Sequence, residues 1–240
     1  MLFRSVLVFL TIVIILIVTY AQFREGVFSA FVMLVNVMIA GVVAFNFFEP
    51  LADLLEPIFP AYADPTRTTP PPLLWGYEDF FSMFLIFAVT LGILRALSNN
   101  LCNSEVVFPG MINQLGAAAI GMITGYLLSG FLVCLVQTLP LHEHVLGFEP
   151  RGNNESEFRG LFPADRVWLA LMREAGVRGL ARAADQDNGP TRYDEYPTFD
   201  RSGTFELRYL RYRRYDDSGM PPRNPLIYQG ELGGAGAGAK

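Results

Sequence analysis

Between Arg4 and Arg24 lie nineteen residues without a charge, SVLVFLTIVIILIVTYAQF. As a helix rising about 1.5 Å per residue they cover the roughly 30 Å of a bilayer's hydrocarbon core. A second uncharged stretch of twenty-three residues separates Glu25 from Glu49. A third, FFSMFLIFAVTLGIL between Asp79 and Arg95, is shorter and needs its flanks to span. Arg95 is expected to keep its stem in lipid and its head at the interface. The fourth lies within the uncharged run from Val106 to Leu141. The gaps predict spans at residues 5–23, 26–48, about 78–97 and about 111–136. The first gap has a rival reading, a signal peptide cleaved after Ala21, with a single Arg before an apolar run longer than a usual signal core.

The basic residues divide the chain. Residues 1–140 hold four of the 18, Arg4, Arg24, Arg67 and Arg95, and the other fourteen fall between Arg151 and Lys240. That break predicts an all-α membrane domain of four transmembrane helices over 1–140. A mixed, partly disordered soluble tail follows over 141–240. The net charge of −5 therefore describes no single surface and gives no reason to expect nucleic acid as a partner.

The fourth stretch carries a second pattern. In NQLGAAAIGMITG and beyond, Ala117, Gly121, Gly125 and Ser129 recur every fourth residue. Such residues share one helix face. In lipid no solvent pushes apolar helices together, so packing at close range must do so, and a bare edge lets another backbone approach. Asn113 and Gln114 lead into the row and can hydrogen-bond across the contact. The packing seam is assigned to Asn113, Ala117, Gly121, Gly125 and Ser129, against either a sister helix or another subunit. Gly130, one place off the row, is expected to matter less.

The connections differ sharply. QFREG is so short that spans one and two form an antiparallel hairpin, with Arg24 at its tip and Gly26 opening the second helix. The next connection, roughly Glu49 to Tyr77, is acidic and proline-rich. Leu51, Leu54 and Leu55 suggest a short amphipathic turn on the membrane surface, Trp75 and Tyr77 interfacial anchors, and TTPPP an extended segment.

These residues resemble a known family. A four-span pattern, an Arg-Gly turn at Arg24 and Gly26, and a fourth span with a polar pair before glycines at four-residue spacing is similar to the colicin V production proteins. Asn113 and Gln114 fall on that family's Asp-Arg pair, and Ala117, Gly121 and Gly125 on its glycines. The likeness covers about residues 1–140. Here the pair is neutral, Arg4-Ser5 replaces an acidic start of span one, and the second connection is longer. The resemblance implies a multi-pass protein of the cell inner membrane that supports toxin production or secretion, or membrane homeostasis. It also implies that the first turn faces the cytoplasm, which places the tail outside.

In the tail, FPADRVWLALMREAGVRGLARAA predicts an amphipathic helix over about 164–183, started by Asp165. Its apolar face, with Trp168 and Leu171 as anchors, is expected on the bilayer surface, or else capping the bundle. TFELRYLRYRR alternates from Phe205 as a half-buried strand does. His142, Glu143 and His144 read as an interfacial cap rather than a metal site, since no other His exists. DQDNG at 185–189 reads as a solvated turn, the sequon at Asn154 as chance, and GELGGAGAGAK as a flexible end.

The spans offer Thr11, Asn36, Asn46, Thr90, Thr124 and Gln137 but no acid, base or His at depth. Proton-coupled transport and intramembrane hydrolysis usually need one. Cys102 and Cys134 are too few for a redox site. No catalysis, metal or cofactor is expected. The leading expectation is a scaffold in contact with lipid, assembled through the seam as a homo-oligomer or with another membrane protein. The alternatives are an oligomeric channel or transporter for a small solute, its path lined by Thr and Asn, and an adaptor whose tail recruits an envelope partner.

Overall fold

The structure is a computed structural model that describes residues 4–59, 74–101, 109–139, 164–178 and 205. Helix α1 is Arg4–Glu25, α2 Val27–Leu55, α3 Glu78–Leu101, α4 Gly110–Gln137 and α5 Ala164–Arg178. The predicted spans thus reappear as helices with most ends within four residues, except that α2 runs seven residues past the predicted end. Among the described residues no strand occurs. Of the strand expected around 205–213 only Phe205 is described, and it is helical and buried. The TTPPP segment, His142 to His144, Asn154, residues 185–189, Cys102 and the glycine-rich end lie outside the described residues.

Among the described residues three helices are long and apolar enough to cross a membrane: α2 with its following 3-10 turn, α3 and α4. They also present large apolar side chains outward. Phe31 and Phe47 on α2, Phe84 and Val89 on α3, and Met122 and Ile123 on α4 are all about half exposed. A protein in water rarely leaves so wide an apolar surface uncovered, whereas lipid covers it without cost. The molecule is a membrane protein.

The helices do not pair in chain order. α1 packs along α4, α4 along α2, and α2 along α3, so the order across the layer is α1–α4–α2–α3. The α1–α2 hairpin exists, but α1 touches α2 far less than α4. The small-residue row explains this choice: α4 offers the edge along which a backbone can come closest. α3 is the most peripheral of the three long spans, with 17% of its apolar window buried. It is held by Asn36, whose Nδ2 donates to Ser98 Oγ at 3.1 Å, bridging α2 and α3. An amide in mid-span does find its partner on a neighbouring helix.

One local expectation is corrected and another gains a partner. The residues read as a separate turn on the membrane surface, Leu51, Leu54 and Leu55, continue α2, which runs through Pro50 and ends in a 3-10 turn over Glu56–Ile58. Proline removes one backbone donor, and the flanking good helix formers carry the helix past it. Arg95 does not reach alone for the interface. It forms an ion pair with Glu25 at 2.8 Å, with the two side chains 46% and 36% exposed. Glu25 also accepts from Ser29 Oγ at 2.8 Å. At that exposure such a pair contributes about 0.2–1 kcal/mol, so it guides α3 onto the turn more than it holds it there.

The exposed face of α3 generates a test. With both native cysteines removed, single cysteines at Val89 and Ile93 in vesicles should resist a membrane-impermeant maleimide and react only after detergent denaturation. Labelling from the aqueous side would contradict a lipid-facing α3.

Candidate helix-packing site

The turn after α1 is a single residue. Gly26 N–H donates to Gln22 O, closing α1, while Gly26 O accepts from Ala30 N–H, opening α2, both at 3.0 Å. Reversing direction within one residue places Gly26 at φ 95 and ψ 166. A Cβ makes that region prohibitive, so the position requires glycine. A helix start leaves backbone donors unmet. Asn113 supplies the missing acceptor from 86 residues away: its Oδ1 takes the Val27 N–H at 2.8 Å. The two sequence motifs, the turn of Arg24 and Gly26 and the polar pair before the glycines, are therefore one structural unit. Its members are Gly26 and Asn113. Gln114 and Arg24 are exposed beside it.

From this cap α4 descends along α1. A Cβ at Gly121 would sit 2.9 Å from the Cα of Thr19, and one at Gly125 would sit 2.8 Å from the Cα of Ile15. Four residues forward on α4 match four residues back on α1, so the contact is antiparallel. At both positions the neighbour is main chain, which cannot turn aside. The carbonyl oxygen of Ile15 also lies 3.3 Å from where the Gly125 Cβ would be, where the glycine instead offers a Cα–H. Ala117 and Ser129 complete the row as buried residues, and Ser129 Oγ donates to its own helix at Tyr126 O, 2.7 Å. The seam left open between a sister helix and another subunit is filled by the first helix of the same chain.

The same principle operates at a second place that the sequence pattern misses. A side chain at Gly130 would strike the carbonyl of Ala164 and lie 2.9 Å from the Cβ of Trp168. On α2, a side chain at Gly41 would overlap the Trp168 ring and come within 3.3 Å of Met172 Sδ. Gly41 and Gly130 are paired notches, one on each central helix, that admit α5. Gly130 is thus no neutral position. Its signal was absent from the four-residue row because it serves a different partner.

Trp168 is fully buried. Its ring lies 5.7 Å from Phe131, edge to face, and 6.2 Å from Phe45. Phe131 stacks on Phe87 of α3 at 3.9 Å, and Phe45 meets Phe205 at 5.6 Å. Leu171 is half-buried against the same cluster. Of the two positions the sequence allowed for this helix, the structure shows the cap: Trp168 and Leu171 are turned into the bundle. Polar links close one end. Gln137 Nε2 donates to Asp165 Oδ2 at 3.0 Å, and Cys134 Sγ lies 3.8 Å from Asp165 O. The fit is incomplete. Among the described residues the buried Trp168 Nε1–H has no acceptor. Such a donor costs about 1–3 kcal/mol.

Other intramembrane polar groups bond within their own helices, while the buried Thr19 Oγ1 and Ser82 Oγ have no partner among the described residues. Thr124 Oγ1 donates to Ile120 O at 2.9 Å, and Asn46 Nδ2 to Val42 O at 2.8 Å. Bonds of this kind satisfy a hydroxyl or amide within its own helix. The arrangement holds helices together and binds backbone to backbone.

A family model described as Colicin V production protein matches residues 8–162, a stretch that takes in most of α1 and all of α2, α3 and α4. No curated protein and no solved structure matches the chain.

Two sets of substitutions test this geometry. Gly121→Leu, Gly125→Leu and Gly130→Leu should each cost at least about 1–3 kcal/mol by overpacking and lower the yield of folded protein. Gly92→Leu on α3, where a Cβ would meet nothing within 4 Å, should leave the yield unchanged. Asn113→Ala should cost about 0.5–2 kcal/mol through the lost cap, read as a lower melting temperature in detergent.

Proposed function

The chain belongs to the colicin V production protein family, and on that premise we propose that it is a non-catalytic protein of a bacterial inner membrane that crosses the bilayer four times. In this reading it supports toxin production or secretion, or membrane homeostasis, by contact with lipid and with another membrane protein. α1 is the fourth span: 22 residues long, continuous through Ala21, and packed along α4. The Arg24 turn faces the cytoplasm and the tail lies on the other side.

The observation that carries the reading is where the polar side chains go. Asn36, Asn46, Thr124 and Ser129 are buried, and each donates within its own helix or to the helix beside it. A conduction path needs such groups turned toward a common lumen. Proton-coupled transport and intramembrane hydrolysis usually need an acid, a base or a His at depth, and the four uncharged stretches hold no Asp, Glu, Lys, Arg or His. This supports a packing role over the channel or transporter reading.

Proteoliposomes containing the purified full chain should pass small ions no faster than empty vesicles. Conduction above that baseline would replace the scaffold reading with the channel reading. Accessibility of tags at the two termini in intact cells should place both outside the cytoplasm. A cytoplasmic tag at either end would reverse the topology.

A further inference from the structure

Helix α5 has two places to lie. In the structure it fills the groove between α2 and α4, with Trp168 seated between Gly41 and Gly130. Ala164, Asp165, Trp168, Leu169 and Met172 are buried there, while Arg166, Ala170 and Glu174 face outward. That division makes the helix amphipathic. The face that enters the groove is the kind of face that enters the boundary between lipid headgroups and acyl chains.

Three features weaken its hold on the groove. Trp168 Nε1–H is buried without an acceptor among the described residues. On the bilayer surface an indole N–H meets water or a headgroup oxygen. The Asp165 carboxylate is buried, 4% exposed, against Gln137. On the surface it regains water. Finally, twenty-four residues separate Leu139 from Ala164. Twenty-four residues fully extended would reach at most about 80 Å, a length that does not by itself tie α5 to the end of α4.

We propose that α5 is a releasable strap that exchanges between the Gly41–Gly130 groove and the surface of the bilayer. Docked, it joins α2 to α4 and covers the aromatic cluster of Phe45 and Phe131. Released, it rests on lipid through Trp168 and Leu171, and the groove opens. Arg166, Arg173 and Arg178 exceed Asp165 and Glu174 by one charge. Anionic lipid therefore draws the helix out.

The protein carries its own reporter. Cys134 is fully buried with its sulfur beside the Asp165 carbonyl, so α5 covers it. Cys102→Ser in the full chain leaves Cys134 the sole thiol. The rate of its reaction with N-ethylmaleimide is measured in phosphatidylcholine vesicles and in vesicles containing phosphatidylglycerol, each normalised to the rate in dodecyl sulfate. One net positive charge near an anionic surface predicts labelling about fivefold faster in the phosphatidylglycerol vesicles. Trp168→Ala, which removes the seated ring and leaves the bundle's own residues intact, should accelerate labelling in both. If Cys134 stays unreactive in both vesicle types the strap is a fixed cap, and if it labels equally fast in both the anionic surface does not draw the helix out; either result overturns the proposal. The lipid comparison stands on the Cys102→Ser protein alone, so it holds even if Trp168→Ala does not fold.

Discussion

The approach of α1 to α4 at Gly121 and Gly125 is the constraint on which the rest of the arrangement rests. In lipid the solvent does not drive apolar helices together. Dispersion attraction between helices must exceed the attraction each helix has for acyl chains. That is achieved only at short range, where the main chain of one helix meets a helix without a Cβ. The main-chain atoms of Thr19 and Ile15 lie against the two glycines, and this approach draws α1 away from its sequence neighbour. Once α1 lies on α4, the single-residue turn at Gly26 brings the start of α2 within reach of Asn113. That cap sets α2 alongside α4, running in the same direction. The seam, the turn and the cap are thus successive consequences of one close approach.

A second contact of the same physical kind works with the opposite element. At Gly41 and Gly130 the missing side chains admit an indole rather than a backbone. Aromatic rings from α2, α3 and α4 and from Phe205 gather around it. The tail is therefore not separate from the membrane part in packing terms: Trp168 is among the largest fully buried side chains in the described structure. The division at residue 140 marks a change of composition, while the core is continuous across it. The contact at Trp168 admits a ring, apolar on its faces and unmet at its N–H, where the seam admits main chain.

Polar side chains serve two ends. Some link helices, as Asn113 at the α1–α2 turn, Asn36 with Ser98 in mid-span, Arg95 with Glu25, and Gln137 with Asp165 do. Others bond to their own helix, as Thr124 and Ser129 on α4 do. A donor within hydrocarbon has no water to fall back on, so it takes the nearest carbonyl.

Charge spacing alone determined the four long helices and most of their ends, because a charge in hydrocarbon is costly wherever the chain later packs. The four-residue repeat likewise marked Ala117, Gly121, Gly125 and Ser129 as a packing edge, and the Arg24–Gly26 stretch as a tight turn, since both are local properties of one helix or one junction. Only the tertiary structure decided the partners. That α1 and not another subunit fills the seam, that Asn113 caps α2, and that Arg95 pairs with Glu25 depend on residues about 70 to 110 positions apart. The same holds for Gly41 and Gly130. Each is a lone glycine in its own helix, and only when α2 and α4 run side by side do the two become one notch shaped for Trp168.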